Sequence, residues 1–311
     1  MNNIKKSTRD GYGQALVKIG KENKDILVLC ADLTNSTRTE EFKKKFPKRF
    51  IQTGIAEQNM MGLAAGMALT GKIPFVSSFA VFSPGINWSQ LRVSVCQNNA
   101  NVKIASTHAG LTVGPDGMSH QALEDIAMTR PLPNLIILSP CDAIEAEKAT
   151  ITAVNHKGPV YIRLTRPKTN IITKQETEFT IGKANILKQG KDITIIGHGP
   201  ILNNCIQAAE NLKKQNIDAE IINSHTIKPL DKETIINSAK KTSRVITVED
   251  HQKIGGLGSA VAELLSQDYP VKIKIIGVDD KFGESGQPEE LMKKYNIGTE
   301  SIIQAVNEIL K

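Results

Sequence analysis

The sequence predicts an α/β protein with two doubly wound domains, each with a central, mostly parallel sheet flanked by helices. Two observations support this fold class. The chain has 311 residues, which exceeds one typical domain and is enough for two, each with its own core. Short apolar segments of strand length also alternate with longer segments of helical periodicity, as they do when helices connect parallel strands.

The first half contains three compact apolar segments that we interpret as buried parallel strands, at 25–30, 101–106 and 135–138. Segments with helical periodicity lie around them, at 12–21, 60–69, 88–96, 121–128 and 144–154. Ligands of doubly wound sheets bind outside the carboxyl ends of the strands, so a site is expected in the loops that follow these strands. We place the first domain at 1–167.

The second half repeats this alternation after a polar stretch, where we place a linker at 168–184. The domain that follows, 185–311, has predicted strands at 193–197, 219–222, 245–248 and 271–275 and predicted helices at 201–215, 232–240 and 259–266. Its first strand ends in a Gly197-His198-Gly199 turn, which could cradle a phosphate. A tight turn between strand and helix is the commoner reason for two such glycines.

Composition excludes several function classes. The net charge is +7, but the lysine clusters are too short and too poor in aromatic neighbours for a nucleic-acid surface. A positive field would instead attract phosphorylated sugars. No apolar run is long enough to span a membrane, and the start lacks the apolar core of a signal peptide, so we expect a cytoplasmic protein. The four cysteines form no Cys-x-x-Cys pair, and no metal site is predicted.

Glu57 lies where the turn residues Thr53 and Gly54 give way to an apolar helix with many small residues. Such a helix can pack closely against other backbone and bury its first turn. A buried, unpaired carboxylate has a raised pKa and can exchange a proton near neutrality, as general acid–base chemistry requires. The alternative is an exposed acid that the helix dipole favours in a first turn.

Three segments in this order resemble the pyrimidine-binding domain of thiamine-diphosphate enzymes of the transketolase superfamily. They are TGIAEQN from Thr53, SSFAVF from Ser77 and THAGLTVGPDGMSHQ from Thr107. The resemblance covers nearly the whole chain through SPCDAIEAEKA, YIRLTRP, HTIKPLD, EDHQKIGGLGSAVAE and KFGESGQPEEL. The Gly-Asp-Gly motif that opens the family's amino-terminal, diphosphate-binding domain is absent from the sequence. The chain therefore resembles the carboxy-terminal half of a transketolase, made as a separate polypeptide.

This resemblance implies thiamine diphosphate as cofactor, with Glu57 hydrogen-bonded to its pyrimidine ring and stabilising the imino tautomer. It implies that Phe79 and Phe82 line the aminopyrimidine pocket, where flat rings pack well. Asp32 matches an acid near the cofactor, although a capping role in a turn is an equal alternative. A further aromatic residue often follows in the family three residues after the second Phe, but this chain has Gly85 there.

The resemblance also implies the substrate site. His108, Asp116 and His120 match transketolase positions that contact substrate hydroxyls, and either histidine could relay protons. Fixed cations and donors are needed for the sugar phosphate, and the matching positions are Arg9, Ser36 and Arg166. Arg92 and Arg130 are interpreted as structural.

The implied activity is transfer of a two-carbon ketol unit from a ketose phosphate to an aldose phosphate via thiamine diphosphate. Deoxyxylulose phosphate synthases share Gly-Ile-Ala-Glu-Gln and a histidine like His120, but they have arginine in place of His108. Beta subunits of 2-oxoacid dehydrogenases share that motif and Gly-Gly-Leu-Gly-Ser, but lack the loop with two histidines. A non-catalytic regulatory or scaffolding relative is a hypothesis of a different class, and retention of Glu57 with both histidines argues against it.

The missing half implies a partner. An N-terminal transketolase subunit would supply the domain that holds the diphosphate and Mg²⁺, and the two chains would form an α2β2 assembly. The small-residue helix from Met60 would contribute to the interface, and the second domain would chiefly support assembly.

Overall fold

A computed structural model describes residues 5–311. The elements of the first half, in chain order, are β1 (Lys5–Lys6), α1 (Thr8–Glu22), β2 (Ile26–Cys30), α2 (Glu40–Lys45), β3 (Phe50–Gln52), α3 (Glu57–Leu69), β4 (Ile73–Phe79), α4 (Trp88–Gln90), β5 (Lys103–Thr107), α5 (Asp125–Thr129), β6 (Ile136–Leu138), α6 (Ala143–Asn155), β7 (Val160–Arg163) and β8 (Thr169–Asn170). Helix α4 continues into a π-helical turn over Leu91–Cys96.

The elements of the second half are β9 (Asn185–Lys188), β10 (Ile193–Gly197), α7 (Leu202–Lys213), β11 (Ala219–Asn223), β12 (Thr226–Lys228), α8 (Lys232–Thr242), β13 (Arg244–Gln252), α9 (Leu257–Asp268), β14 (Lys272–Val278), α10 (Pro288–Lys294) and α11 (Thr299–Leu310).

The first sheet has seven strands in the order β12-β6-β7-β5-β4-β2-β3, and every pair is parallel except β12 with β6. The register pairs Phe79 with Thr107, the last residues of β4 and β5. Because the strands run in parallel, the loops that follow β2, β4, β5 and β7 all leave at one edge of this sheet. The edge strand β12 comes from the second half of the chain.

The second sheet has five strands in the order β14-β13-β10-β11-β9, parallel except at the antiparallel edge strand β9. The predicted fold class, two doubly wound units with mostly parallel sheets, is confirmed. Every strand predicted in this half is present.

The first half has a buried apolar cluster of its own, which includes Tyr12 and Phe75. A further cluster joins the halves, with Ile104 from the first and Ile196 and Val245 from the second. The two units therefore share buried surface in addition to the core that the sequence predicts for the first.

Polar contacts also join the halves. Arg163 and Asp125 form an ion pair of 2.8 Å in which neither side chain is more than 1% exposed, and Arg163 Nη2 donates to the Asp250 carbonyl oxygen. The Tyr161 hydroxyl donates to the same Asp125 oxygen at 2.6 Å. The Arg130 guanidinium donates to the Gly255 carbonyl, so its contacts within this chain are structural.

The predicted helix at 121–128 is wrong at its start, because α5 begins only at Asp125. The Gln121 side chain is instead held in the preceding loop, where Nε2 donates to the carbonyl oxygens of Leu111 and Glu284. Within residues 5–311 no helix combines the length and the apolarity needed to cross a membrane.

Candidate active site

A cleft with a volume of about 240 Å³ opens at the edge of the first sheet where the parallel strands end. It is lined by Arg9, Asn35, Ser36, Arg38, Phe79, His108, Asp116 and Arg166. Six of these residues were predicted as site residues from the sequence. The structure brings them together from α1, from the end of β4 and from the loops after β2, β5 and β7, as the parallel topology requires.

Three non-glycine residues that follow strands at this edge have left-handed backbone conformations. The φ angles are 57° at Asp32, 63° at Arg38 and 59° at His108. Residues other than glycine adopt this conformation rarely, and they cluster at functional sites, where the surrounding fold holds the strain. The turn at His108 directs its ring back over the end of β4.

The His108 imidazole stacks on the Phe79 ring, with centroids 3.7 Å apart and planes inclined by 29°. Its Nδ1 lies 2.8 Å from the Thr107 hydroxyl oxygen, and its Nε2 has no hydrogen-bond partner among residues 5–311. Burial, reinforced by the neighbouring positive charges of Arg9 and Arg166, lowers the pKa of His108 to about 3. His108 is therefore a neutral imidazole at physiological pH, able to donate or accept one hydrogen bond at Nε2.

The two predicted cofactor-wall aromatics pack together and contact both histidines of the predicted site. The rings of Phe79 and Phe82 lie 5.9 Å apart and nearly parallel, and His120 meets Phe82 edge-on at 5.5 Å. Phe82 and His120 border the cleft without lining it. A Cβ atom at position 85 would lie 1.9 Å from the Val81 carbonyl oxygen, which explains why no third aromatic residue stands at Gly85.

Arg9 is the cation of the cleft with the fewest protein partners. Its Nη1 donates to the Ser36 carbonyl oxygen at 2.8 Å, whereas its buried Nε has no partner among the described residues. Burial, together with repulsion from Arg38 and Arg166, lowers the pKa of Arg9 to about 10, against the opposing effect of Asp10. This arrangement of like charges is suited to an anion.

The other two arginines are partly neutralised. Arg38 Nε pairs with Asp10 at 2.7 Å, and Arg166 Nη1 donates to the Val113 carbonyl oxygen at 2.7 Å and to Asp116 at 3.2 Å. Sequence reasoning missed Arg38 and its neighbour Asn35. The only signal for Arg38 was its place two residues after Ser36 in a loop at the predicted ligand edge, because its left-handed turn cannot be recognised from the sequence.

Glu57 is the first residue of α3 and is only 5% exposed. The Ser78 hydroxyl donates to its Oε1 at 3.2 Å, and the Asn87 amide donates to its backbone carbonyl. Its Oε2 makes no hydrogen bond to any described residue. The interpretation as an exposed first-turn acid is therefore wrong, and the Glu57 carboxylate contacts β4 at Ser78, the residue before Phe79.

Asp32 is not brought into the cleft. It is exposed, and its backbone N–H donates to Gln52 Oε1 at 2.8 Å. Its carboxylate makes no hydrogen bond within residues 5–311, so the capping alternative also lacks support.

Exposed apolar side chains lie along α3 and on the segments next to it. The large ones are Ile55, Leu63, Leu69, Ile86 and Val93, and Ile55 is 84% exposed. Cβ atoms added at Gly62 and Gly66 of α3 would meet open space. An exposed apolar area of this kind marks an interaction surface, and the two glycines would let a partner's backbone approach closely.

Two family models match the chain. The model described as transketolase, pyrimidine binding domain, matches residues 4–171, and the model described as transketolase, C-terminal domain, matches residues 182–302. The chain is 46% identical to a putative transketolase C-terminal section of Methanocaldococcus jannaschii, over 100% of this chain and 98% of that protein. It is 38% identical to a 6-deoxy-6-sulfo-D-fructose transketolase subunit of a Clostridium species, over 97% and 94%.

Human transketolase is 39% identical over 98% of this chain, which spans 49% of the human protein. Among solved structures, one described as a split gene transketolase, inactive beta4 tetramer, superposes with a TM-score of 0.92 at 45% identity and covers 98% of both chains. The predicted resemblance is confirmed: the chain belongs to the transketolase family and carries that family's pyrimidine-binding and C-terminal domains.

Proposed function

We propose that this chain is the carboxy-terminal subunit of a two-chain transketolase that transfers a two-carbon ketol unit from a ketose phosphate to an aldose phosphate. The observation that carries the proposal is the cleft, where three guanidinium groups lie beside a neutral histidine that stacks on Phe79, and the residue before Phe79, Ser78, donates to Glu57. Full-length relatives are about twice as long, so a second chain would supply the remainder.

The charge of the cleft supports phosphate recognition. Arg9 would make the principal contact, because its Nε has no partner among the residues that the structure describes, and Arg38 and Arg166 would add positive charge. His108 and His120 would bind the sugar hydroxyls and carry protons to and from them, and Asp116 would accept from a hydroxyl. Ser36 would border the phosphate, since its carbonyl oxygen orients Arg9.

The residues around Glu57 fit thiamine diphosphate. Its Oε2 is free to hold a proton against a ring nitrogen, and Phe79 with Phe82 forms an apolar wall for a flat heterocycle. When bound, the cofactor would supply the nucleophilic carbon that carries the ketol unit. Asp32 would be held near it by the partner. The diphosphate and Mg²⁺ would be held by the partner subunit, because the Gly-Asp-Gly motif is absent from this sequence.

The exposed apolar surface around α3 supports the proposal that a partner subunit binds there. Docking of an N-terminal subunit there would bury Ile55 and Leu63 and would close the site over Glu57, and two copies of each chain would give an α2β2 enzyme. This assembly would place the cofactor between subunits and exclude water from Glu57.

The Clostridium relative suggests a second donor class. A sulfonate, like a phosphate, is a tetrahedral oxyanion that guanidinium groups bind well, so the arginine cleft would also accept a sulfonated ketose. Measurement of activity with a phosphorylated and with a sulfonated ketose would show which of the two is the donor.

The test is reconstitution of the enzyme from the purified chain, its N-terminal partner, thiamine diphosphate and Mg²⁺. We expect ketol transfer from xylulose 5-phosphate to ribose 5-phosphate, absent with either chain alone. A 6-deoxy-6-sulfo ketose in place of xylulose 5-phosphate tests the second donor. Absence of ketol transfer together with decarboxylation of pyruvate in the presence of glyceraldehyde 3-phosphate would instead establish a deoxyxylulose phosphate synthase. Decarboxylation of a 2-oxoacid without the triose would indicate a dehydrogenase beta-type subunit, and inactivity on all of these substrates would leave the scaffolding class.

A further inference from the structure

A second cavity, with a volume of about 210 Å³, lies between the two halves of the chain and shares no residue with the candidate active site. Arg163 and Thr169 line it from the first half, and His198, Gly199 and Asn203 line it from the second. It therefore includes part of the Gly-His-Gly turn, at the carboxyl end of β10 and just before α7. This is the edge at which doubly wound sheets bind ligands.

Two buried polar atoms at this cavity lack partners. His198 is 1% exposed, and its Nδ1 lies 2.8 Å from the Ser139 hydroxyl, but its Nε2 has no hydrogen bond within residues 5–311. The Thr169 hydroxyl is also buried and has no hydrogen-bond partner in the described part of the chain. Buried polar atoms almost always have a hydrogen-bond partner. Two such atoms without partners at one cavity therefore point to a ligand that forms hydrogen bonds with both.

Two lysines supply the positive charge that this cavity offers to an anion. Lys5 and Lys168 line it and have no ion-pair partner among residues 5–311, whereas the charge of Arg163 is paired with Asp125. The carboxylates of Asp250 and Glu289 also line the cavity. Asp250 is occupied by the protein, because its oxygens accept from the backbone N–H of Leu111 and from Thr112, whereas Glu289 is exposed.

The helix adds to this field. Among residues 5–311 no side chain caps the amino end of α7, which has 12 residues, so none of them offsets the positive end of its dipole. The Gly199 backbone N–H is already bonded to the Ser139 carbonyl oxygen. Side chains rather than backbone amides would therefore make the direct contacts.

We propose that this cavity binds a small phosphorylated metabolite, with its phosphate against His198 Nε2, the Thr169 hydroxyl and the Lys168 ammonium. A volume of 210 Å³ equals about seven water molecules, which suits a phosphate on a three- or four-carbon skeleton and is too small for a nucleotide. Burial lowers the pKa of His198 far below its ordinary value, so the ring is neutral and Nε2 carries a proton when Ser139 donates to Nδ1.

The site is positioned to influence catalysis. Thr112, which lines this cavity and bonds to Asp250, belongs to the loop that carries His108 and His120. Occupancy of the cavity would hold the two halves together at the base of that loop.

The test uses the full chain labelled with ¹⁵N histidine and titrated with inorganic phosphate, then with glycerol phosphate and with glycerol. Six histidines give a spectrum in which His198 is assigned by its loss in His198→Asn. We expect the His198 Nε2 resonance to move with both phosphates and not with glycerol. An Arg9→Gln background removes phosphate binding at the candidate active site, so that the remaining binding belongs to this cavity.

Variants make the test specific. His198→Asn keeps a group near Ser139 but lacks Nε2, so it should abolish binding, whereas His198→Gln retains an amide near the Nε2 position and should keep part of it. Asn203→Asp adds a carboxylate where the helix dipole tolerates it, and it should weaken phosphate binding about tenfold or more. Gln215→Glu, the same charge change beyond the other end of α7, is the control. Unmoved His198 signals at phosphate concentrations that saturate the Arg9-dependent site, or unchanged binding in Asn203→Asp, would overturn the proposal.

Discussion

Arg9→Gln separates phosphate recognition from folding. In residues 5–311 the Arg9 Nε finds no partner, and the guanidinium is repelled by Arg38 and Arg166, so its charge is poorly compensated until an anion binds. A charge-assisted hydrogen bond to a phosphate contributes about 1.5–3 kcal/mol. Its loss in the transition state corresponds to a fall in kcat/KM of about 10- to 150-fold, at about 1.4 kcal/mol per factor of ten.

The assay compares ribose 5-phosphate with ribose as acceptors, in the reconstituted enzyme and with one donor. Arg9→Gln should lower kcat/KM for the phosphorylated acceptor and change that for ribose little. The thermal midpoint of the free chain should stay unchanged or rise, because removal of Arg9 relieves repulsion. Arg244→Gln, the same substitution on β13 of the second half, should alter none of these quantities.

Two results would refute this reasoning. Equal losses for ribose and ribose 5-phosphate would show that Arg9 acts through the fold or the donor and does not recognise the acceptor phosphate. A large drop in the thermal midpoint would show that Arg9 stabilises the fold by more than its hydrogen bond to the Ser36 carbonyl oxygen, contrary to the net repulsion from Arg38 and Arg166.

Three further predictions concern buried groups. Glu57→Gln should lower turnover of the reconstituted enzyme at least 100-fold, on the order of what general acid–base groups contribute, and turnover at the wild-type rate would contradict the assigned role. Asp125→Asn should destabilise the chain in urea by about 3–5 kcal/mol because it leaves the buried Arg163 charge uncompensated, whereas Tyr161→Phe should cost only about 1 kcal/mol. His108 has a folded pKa of about 3, below its unfolded value, so the stability linked to it is fully present above pH 6.5 and is lost as the pH falls from 6.5 towards 3. His108→Asn should therefore reduce the acid slope of unfolding free energy by up to about 1.4 kcal/mol per pH unit in that range, and an unchanged slope would show that the His108 pKa is not depressed.

The sequence predicted the buried strands well because parallel strands covered on both faces are short apolar runs. Six of the eight cleft residues were predicted, all through the resemblance to family motifs. Arg9, Ser36 and Arg166 in particular lie in no periodic or spaced pattern that would have singled them out without that resemblance. Arg38 was missed because its direction depends on a left-handed backbone that a single sequence does not reveal. The start of α5 was misplaced because a distant contact, from Gln121 to Glu284, outweighs local helical preference.

The shared core was missed for a related reason. Apolar periodicity shows that a face is buried but not which face covers it, so Ile104 and Ile196 gave no sign that they contribute to one interior. Asp32 is the reverse case, a residue that was predicted and that the structure leaves outside the cleft. The family resemblance predicts it near the cofactor, whereas its side chain is exposed to solvent in this chain.

Strand β12 has a consequence for how this protein can be divided. Residues Thr226–Lys228 cover β6, so a fragment that stops at residue 184 would present a bare hydrogen-bonding edge and half of a severed apolar interior. Unpaired edge strands pair with other chains, so we expect such a fragment to aggregate in cells and not to fold as an independent cofactor-binding domain. An engineered fragment that is to fold would therefore have to contain both domains.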